Sequence, residues 1–393
     1  MNKLRIYFSQ INWPLIGFIL SLLIPSTAVV QKYLGLNGVA AYLVIASLIM
    51  YLGYKYVLSK IIQFMTDKRL LWLVVVAFLV LLVLFIILYP IANSGLLGSG
   101  SDRDEALNIA TSELLKGHYP YYLKTYFGNP ITPMPGSLFL AVPFVLIGNS
   151  AYQNLFWFFL FLYTLNYLFN NKQHGVTVLF VILALAPCVM LEYVTGGDLL
   201  ANSIYVFVFI VWAVIIISKN EKSIWKKILI AVLLGLSLSS RSNFILLLPL
   251  VFSAYVKNNG WKSAIVYLAI SGFTFLLLTV PFYLYDPQGF SPLHTINKLN
   301  QFQDILPKAG LIVPLVSGII GLILSFSQNT KISTLLINCT IVLAIPVLIG
   351  IVLQSIMFHT LDFSFAGYGL PFVFFGSTAF FLMLMERKSE IKK

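Results

Sequence analysis

Apolar runs recur along this chain every 20 to 35 residues, and no polar stretch between them is long enough to fold by itself. A helix needs about 20 apolar residues to cross roughly 30 Å of hydrocarbon. The runs therefore predict spans near 13–30, 39–57, 70–91, 151–170, 176–194, 200–218, 228–240, 243–256, 262–284, 311–327, 333–357 and 366–385. The seventh and eighth are short halves of one apolar run interrupted by Arg241. Segment 137–148, at 1.5 Å per residue, reaches only about 18 Å and is expected at the membrane interface. The predicted fold is an all-α polytopic membrane protein, a single integral-membrane domain over 1–393 with about 12 spans and an interfacial helix.

Composition agrees with the pattern. Of 393 residues, 59% are hydrophobic and 10% charged, and the mean hydropathy is +0.92. A water-exposed surface could not be covered with so few charges. The net charge of +12 could suggest nucleic acid, but the basic residues sit mainly in short inter-helix loops, where they set orientation in the bilayer. With the N-terminus cytoplasmic, Lys32, Arg103, Lys116, Lys124, Arg241, Lys298 and Lys308 fall outside and the other 18 of the 25 inside. The acids run the other way: Asp102, Asp104, Glu105, Glu113, Glu192, Asp198, Asp286, Asp304 and Asp362 all fall outside. The expected location is the cytoplasmic membrane, with both termini inside and a polar working surface on the outer face. Lys3 and Arg5 before the first apolar run read as part of an uncleaved anchor. Cys188 and Cys339 lie in apolar runs and carry no redox message.

The longest non-membrane stretch, 92–136, holds the sharpest signal. Ala106, Ala110 and Leu114 at i, i+4, i+8, with Leu107 and Leu115 beside them, predict an amphipathic helix near 103–116 lying on the outer membrane surface and ended by Gly117. Pro120, Pro130, Pro133 and Pro135 then impose an extended course. Asp102, Asp104 and Glu105 have two readings. Ser101 with Asp104, or Asp102 with Glu105, matches a capping box; the same carboxylates could instead form a site. Asp102-Arg103-Asp104 also matches the metal-holding DxD pattern of nucleotide-sugar transferases, although nucleotide sugars are cytoplasmic and this loop is expected outside.

The run Asp102 … Ala110 … Leu114-Leu115-Lys116-Gly117-His118-Tyr119-Pro120-Tyr121, followed by Pro135-Gly136 … Leu138-Phe139-Leu140 … Pro143, resembles the first outer loop of the GT-C glycosyltransferases. The nearest branch is the polyprenol-phosphate-mannose-dependent mannosyltransferases. Gly235-Leu236 … Ser240-Arg241 … Leu248-Pro249 is similar to a later helix pair of that family. The chain departs from the family in having Ala106 four residues after the Asp, and three spans before the loop instead of one. The resemblance implies a catalytic base, and its register selects Asp102. It also implies a polyprenyl-phosphate sugar donor and a glycan, glycolipid or protein acceptor.

Such a donor leaves as a lipid phosphate, so inverting transfer needs one carboxylate to deprotonate the acceptor hydroxyl and cations to hold the phosphate. Arg241, alone in an apolar stretch, is the first candidate cation; its plainer readings are snorkelling to the headgroups or pairing with Asp198. Lys298 and His294 are further candidates for the phosphate. Asp104, His118, Tyr121, Asp198 and His359 are candidates for substrate contacts. No cofactor is required, and the DxD match leaves a divalent cation open. No phosphate-loop, HExxH or histidine–cysteine pattern supports ATP hydrolysis or zinc chemistry. Two other classes share the setting: a lipid-linked saccharide transporter or flippase, which needs ionisable residues inside several spans, and a saccharide polymerase or ligase, which relies on basic residues in a later outer loop.

Overall fold

The computed structural model describes residues 12–94, 101–218, 221–293 and 298–391; the described residues contain no strand, only one isolated bridge between Lys124 and Pro130. In chain order the α-helices are α1 (Trp13–Leu52), continued through a π-turn (Gly53–Val57) into α2 (Leu58–Phe64), then α3 (Asp67–Ala92), α4 (Arg103–Leu115), α5 (Pro135–Leu146), α6 (Gln153–Phe169) and α7 (Lys172–Leu185). They continue as α8 (Pro187–Val194), α9 (Asp198–Ser218), α10 (Ile224–Leu238), α11 (Leu248–Tyr285), α12 (Ala309–Ser327), α13 (Ile332–Met357) and α14 (Leu370–Ile391). Among the described residues, 7 helical runs are long and apolar enough to cross a bilayer, or 9 if each of two bent pairs is one span. The chain is a polytopic, all-helical membrane protein.

Two of those runs double back. Gly35 within α1 has φ 66°, a left-handed conformation that costs glycine little. Ser26, before it, donates to Cys188 Sγ (3.2 Å), while Tyr42, after it, donates to the Leu185 carbonyl (2.7 Å). In a straight helix residues 26 and 42 would stand about 24 Å apart, yet their partners are three positions apart in sequence. Gly260 within α11 has φ 78°. Residues on either side of Gly260 also meet: Ser239 Oγ lies 2.9 Å from Thr279 Oγ1. The predicted breaks between 30 and 39 and between 256 and 262 contain these reversals.

One predicted span, 176–194, is bent instead of straight. α7 and α8 meet at 81°: Pro187 lacks the N–H that would continue the helix, and Ala186 takes a non-helical conformation (φ −115°, ψ 81°). The short α5 meets the run containing α6 at 98°, so it lies across the helix that follows it.

α9 is the hub, with its apolar residues buried on almost every side and helices α6, α10 and α14 packed around it. α4 departs from expectation. Its buried residues are Asp104, Ala106, Leu107, Ala110 and Thr111, whereas Leu115 is exposed. Ala106, Leu107 and Ala110 pack with Tyr121, Ile131, Leu138, Ala141 and Phe290, so the apolar stripe is covered by protein, not presented to lipid. Gly117 (φ 77°) ends the helix as predicted, with the His118 and Gly117 N–H groups closing onto the Glu113 and Leu114 carbonyls.

Candidate active site

Asp102 sits one residue before α4, and its side chain makes no capping hydrogen bond. Its Oδ2 instead accepts from Thr125 Oγ1 (2.6 Å) and Asn129 Nδ2 (2.7 Å). These two residues form the stem of a tight loop, in which Thr125 N donates to the Asn129 carbonyl and Gly128 N to the Thr125 carbonyl. Tyr126 N in the loop tip donates to Glu105 Oε2 (2.9 Å), fastening the loop to the first turn of α4. Neither capping box forms: Ser101 Oγ accepts from Arg103 N (3.4 Å), and Glu105 serves Tyr126.

Two residues on, Asp104 points elsewhere. It is buried and accepts from the Tyr89 hydroxyl (2.6 Å), which in turn accepts from Asn149 Nδ2 (2.7 Å). Burial raises the Asp104 carboxyl above the ordinary aspartate value, a shift opposed by the Tyr89 hydrogen bond. With Asp102 and Asp104 diverging, the DxD reading has no shared centre. No group of three His, Cys, Asp or Glu side chains among the described residues could hold a metal ion.

Asp102 faces a cavity of about 360 Å³, lined also by Arg103, Thr125, Asn129, Glu192, Asp198, Arg241, Lys298 and Tyr368. Arg241 occupies the break after α10 in an extended conformation (φ −150°, ψ 144°). Its Nη2 donates to both Asp198 oxygens at 2.6 and 2.8 Å. Asp198, the first residue of α9, has a fully buried side chain, and that of Arg241 is 13% exposed. Asn202 Nδ2 also donates to Asp198 Oδ2 (3.0 Å), and the Tyr205 hydroxyl donates to Asn202 Oδ1. The plainer reading of Arg241, as a partner of Asp198, is thus realised. Arg103 pairs with Glu192 from α8 and lies over the Tyr368 ring, 5.8 Å from its centroid. Burial pushes the Arg103 guanidinium below its usual value, which leaves an arginine charged at neutral pH. Lys298 Nζ donates to the Tyr368 hydroxyl (3.1 Å).

The cavity therefore holds three carboxylates and three cations. Two pairs are internally neutralised, Arg103 with Glu192 and Arg241 with Asp198. Among the described residues, neither Asp102 nor Lys298 is in an ion pair, although Arg103 lies near enough to feel the Asp102 charge. Such an arrangement can take a proton at Asp102 and hold an anion at Lys298.

The structure thus gathers Asp102, Asp198, Arg241 and Lys298 from the predicted set. Asp104 is not in the cavity wall. His118 is 64% exposed and bonds Glu113 Oε2 (2.8 Å). Tyr121 is buried against Phe282 and Phe290. His359 occupies an exposed turn with φ 53°, and His294 lies outside the described residues. Sequence reasoning did not assign Arg103, Glu192, Thr125, Asn129 or Tyr368 to the site. Arg103 and Glu192 carried a signal as charged residues of the outer loops, whereas Thr125, Asn129 and Tyr368 carried none. No family model matches the chain, and neither a curated protein nor a solved structure matches it.

Proposed function

We propose that the chain is a glycosyltransferase of GT-C type that moves a sugar from a polyprenyl-phosphate donor to an acceptor hydroxyl on the outer face of the cytoplasmic membrane. The observation that carries this reading is the Asp102 carboxylate, held by neutral donors alone and sharing a polar cavity with Lys298 and two arginines. Thr125 and Asn129 both occupy Oδ2, so Oδ1 is the oxygen left to receive a proton. As the acceptor oxygen attacks the anomeric carbon, its proton passes to Asp102 and the bond from that carbon to the phosphate oxygen breaks. The lipid phosphate departs with the bonding electrons and needs no protonation. Lys298, whose charge is not neutralised within the cavity, takes the first share of the phosphate; Arg103 and Arg241 add N–H groups not engaged by their carboxylates. With one carboxylate acting as base and no covalent intermediate, the acceptor attacks from the face opposite the departing phosphate, hence inversion.

This reading takes the chain to cross the membrane twelve times. That number follows if, beside the 7 candidate runs, the reversals at Gly35 and Gly260 add one crossing each, each bent pair is one crossing and the 15-residue α10 is another. An even number of crossings puts both termini on one side; with that side inside, as the basic inter-helix loops favour, the loop carrying Asp102 faces out, where a nucleotide sugar is absent and a lipid-linked donor is available.

The test is direct. The purified protein is incubated with a panel of radiolabelled polyprenyl-phosphate sugars and cell-envelope lipids or glycans as acceptors. One donor should yield labelled product together with free polyprenyl phosphate. Movement of an intact lipid-linked sugar across proteoliposomes, with no transfer from any donor, would replace this reading with the transporter.

A further inference from the structure

A side-opening crevice of about 880 Å³ lies away from the polar cavity, between α3 and the α7–α8 pair. Its walls are apolar for most of their length. α3 is weakly embedded, with 17% of its most apolar window buried inside the protein. A side-opening cleft between hydrocarbon-facing helices is filled by lipid chains in a membrane, since water there would leave apolar surface hydrated.

One end of the crevice is different. Thr66, Lys68 and Arg69 line it there, and Trp72 stands one turn deeper. Lys68 forms no ion pair among the described residues, and Asp67 is not part of the lining. Arg69 is held in place: its Nη1 donates to the Phe64 carbonyl (3.2 Å), and its guanidinium lies over the Phe64 ring, 4.3 Å from the centroid. That leaves several guanidinium N–H groups for another partner. An exposed tryptophan one turn inside a pair of cations is the sequence of groups met on passing from headgroup to acyl chain.

We propose that this crevice is a binding site for an anionic phospholipid. Its phosphate sits on Lys68 and Arg69, the Thr66 hydroxyl donates to it, and an acyl chain lies along α3 between Ala77 and Ala184. The cations favour a net negative headgroup over a zwitterionic one. Two basic side chains near the bilayer surface correspond to a preference of about thirtyfold or less. The site is independent of the proposed transfer reaction, since none of its residues borders the polar cavity.

The full-length protein is stripped of lipid in mild detergent and offered equal amounts of phosphatidylglycerol and phosphatidylcholine with matched chains. Native mass spectrometry reads the bound ratio. Wild type should retain phosphatidylglycerol at least fivefold over phosphatidylcholine, on the magnitude above. The Lys68→Gln/Arg69→Gln double variant should bring the ratio near one with an unchanged circular dichroism spectrum, and Ala184→Trp, which fills the chain groove, should lower retention of both lipids. A ratio near one in wild type would overturn the proposal without reference to any variant, and so would a preference that survives Lys68→Gln/Arg69→Gln.

Discussion

The Asp198–Arg241 pair joins the start of α9 to the break after α10, and its removal is the most informative stability perturbation. Asp198 is fully buried and Arg241 13% exposed, with contacts of 2.6 and 2.8 Å. Arg241 Nε is buried without a hydrogen-bond partner. Asp198→Asn therefore presents an amide to a guanidinium that has little water to turn to. Losing one member of a buried pair costs about 3–5 kcal/mol, and the cavity's access to water argues for the lower end, about 3 kcal/mol. Arg241→Gln leaves a buried carboxylate with Asn202 alone and should cost about the same. The double variant carries no unpaired charge, and its two amides can bond each other, so it should cost no more than about 3–4 kcal/mol, a coupling of about 2–3 kcal/mol. Unfolding by sodium dodecyl sulfate in mixed micelles, followed by tryptophan fluorescence, measures all four corners of the cycle. Additivity to within about 0.5 kcal/mol would refute the claim that the two charges are buried against each other.

Thr125→Val and Asn129→Leu each take one donor from Asp102, and each should lower turnover about tenfold at unchanged donor KM, since a bond to a charged group is worth about 1.5–3 kcal/mol before allowance for exposure. Thr125→Ser should restore activity, and a loss expressed only as a raised KM would count against a positioning role. Asp104→Asn should transfer normally and be at least as stable as wild type at neutral pH. Because burial raises the folded-state value of Asp104 above the unfolded one, the native state binds more protons between the two, and its stability falls as pH rises through that window. Asp104→Asn should lack that decline in pH-dependent unfolding, and an identical profile would remove Asp104 as its source. For topology, His118→Cys and Lys388→Cys should differ on intact cells, position 118 reacting with an impermeant thiol reagent and position 388 not. Cys188 and Cys339 are buried and keep the background low; the opposite result would reverse the orientation.

Features set by local chemistry were legible in the sequence. Gly117 closing α4, the interruption at Arg241 and the gap holding Gly35 all follow from what a glycine or a lone charge does to an apolar helix. The 81° bend at Pro187 escaped notice because the residues around it are uniformly apolar, so hydropathy runs through the break. The buried side of α4 was misjudged for a related reason: its alanines and leucines show which side is apolar, but not whether lipid or protein covers it. At the site, Arg241 stood out as a lone charge in an apolar run, whereas Asp102 was selected by the register of the resemblance, its spacing alone leaving a cap and a site both open. Their partners are a matter of tertiary placement. Glu192 reaches Arg103 across 89 positions, and Thr125 and Asn129 are unremarkable in composition until their loop folds over Asp102.

The central claim is that Asp102 is the base. Asn at this position retains the shape of the side chain and can still accept from Thr125 and Asn129, but it cannot take a proton. The decisive measurement is turnover of Asp102→Asn beside wild type, with the donor identified from the radiolabelled panel and with donor binding and thermal unfolding recorded on the same preparations. The account predicts a loss of about 10²–10⁴-fold in turnover with binding and stability near those of wild type. Turnover of Asp102→Asn within a few-fold of wild type would contradict it.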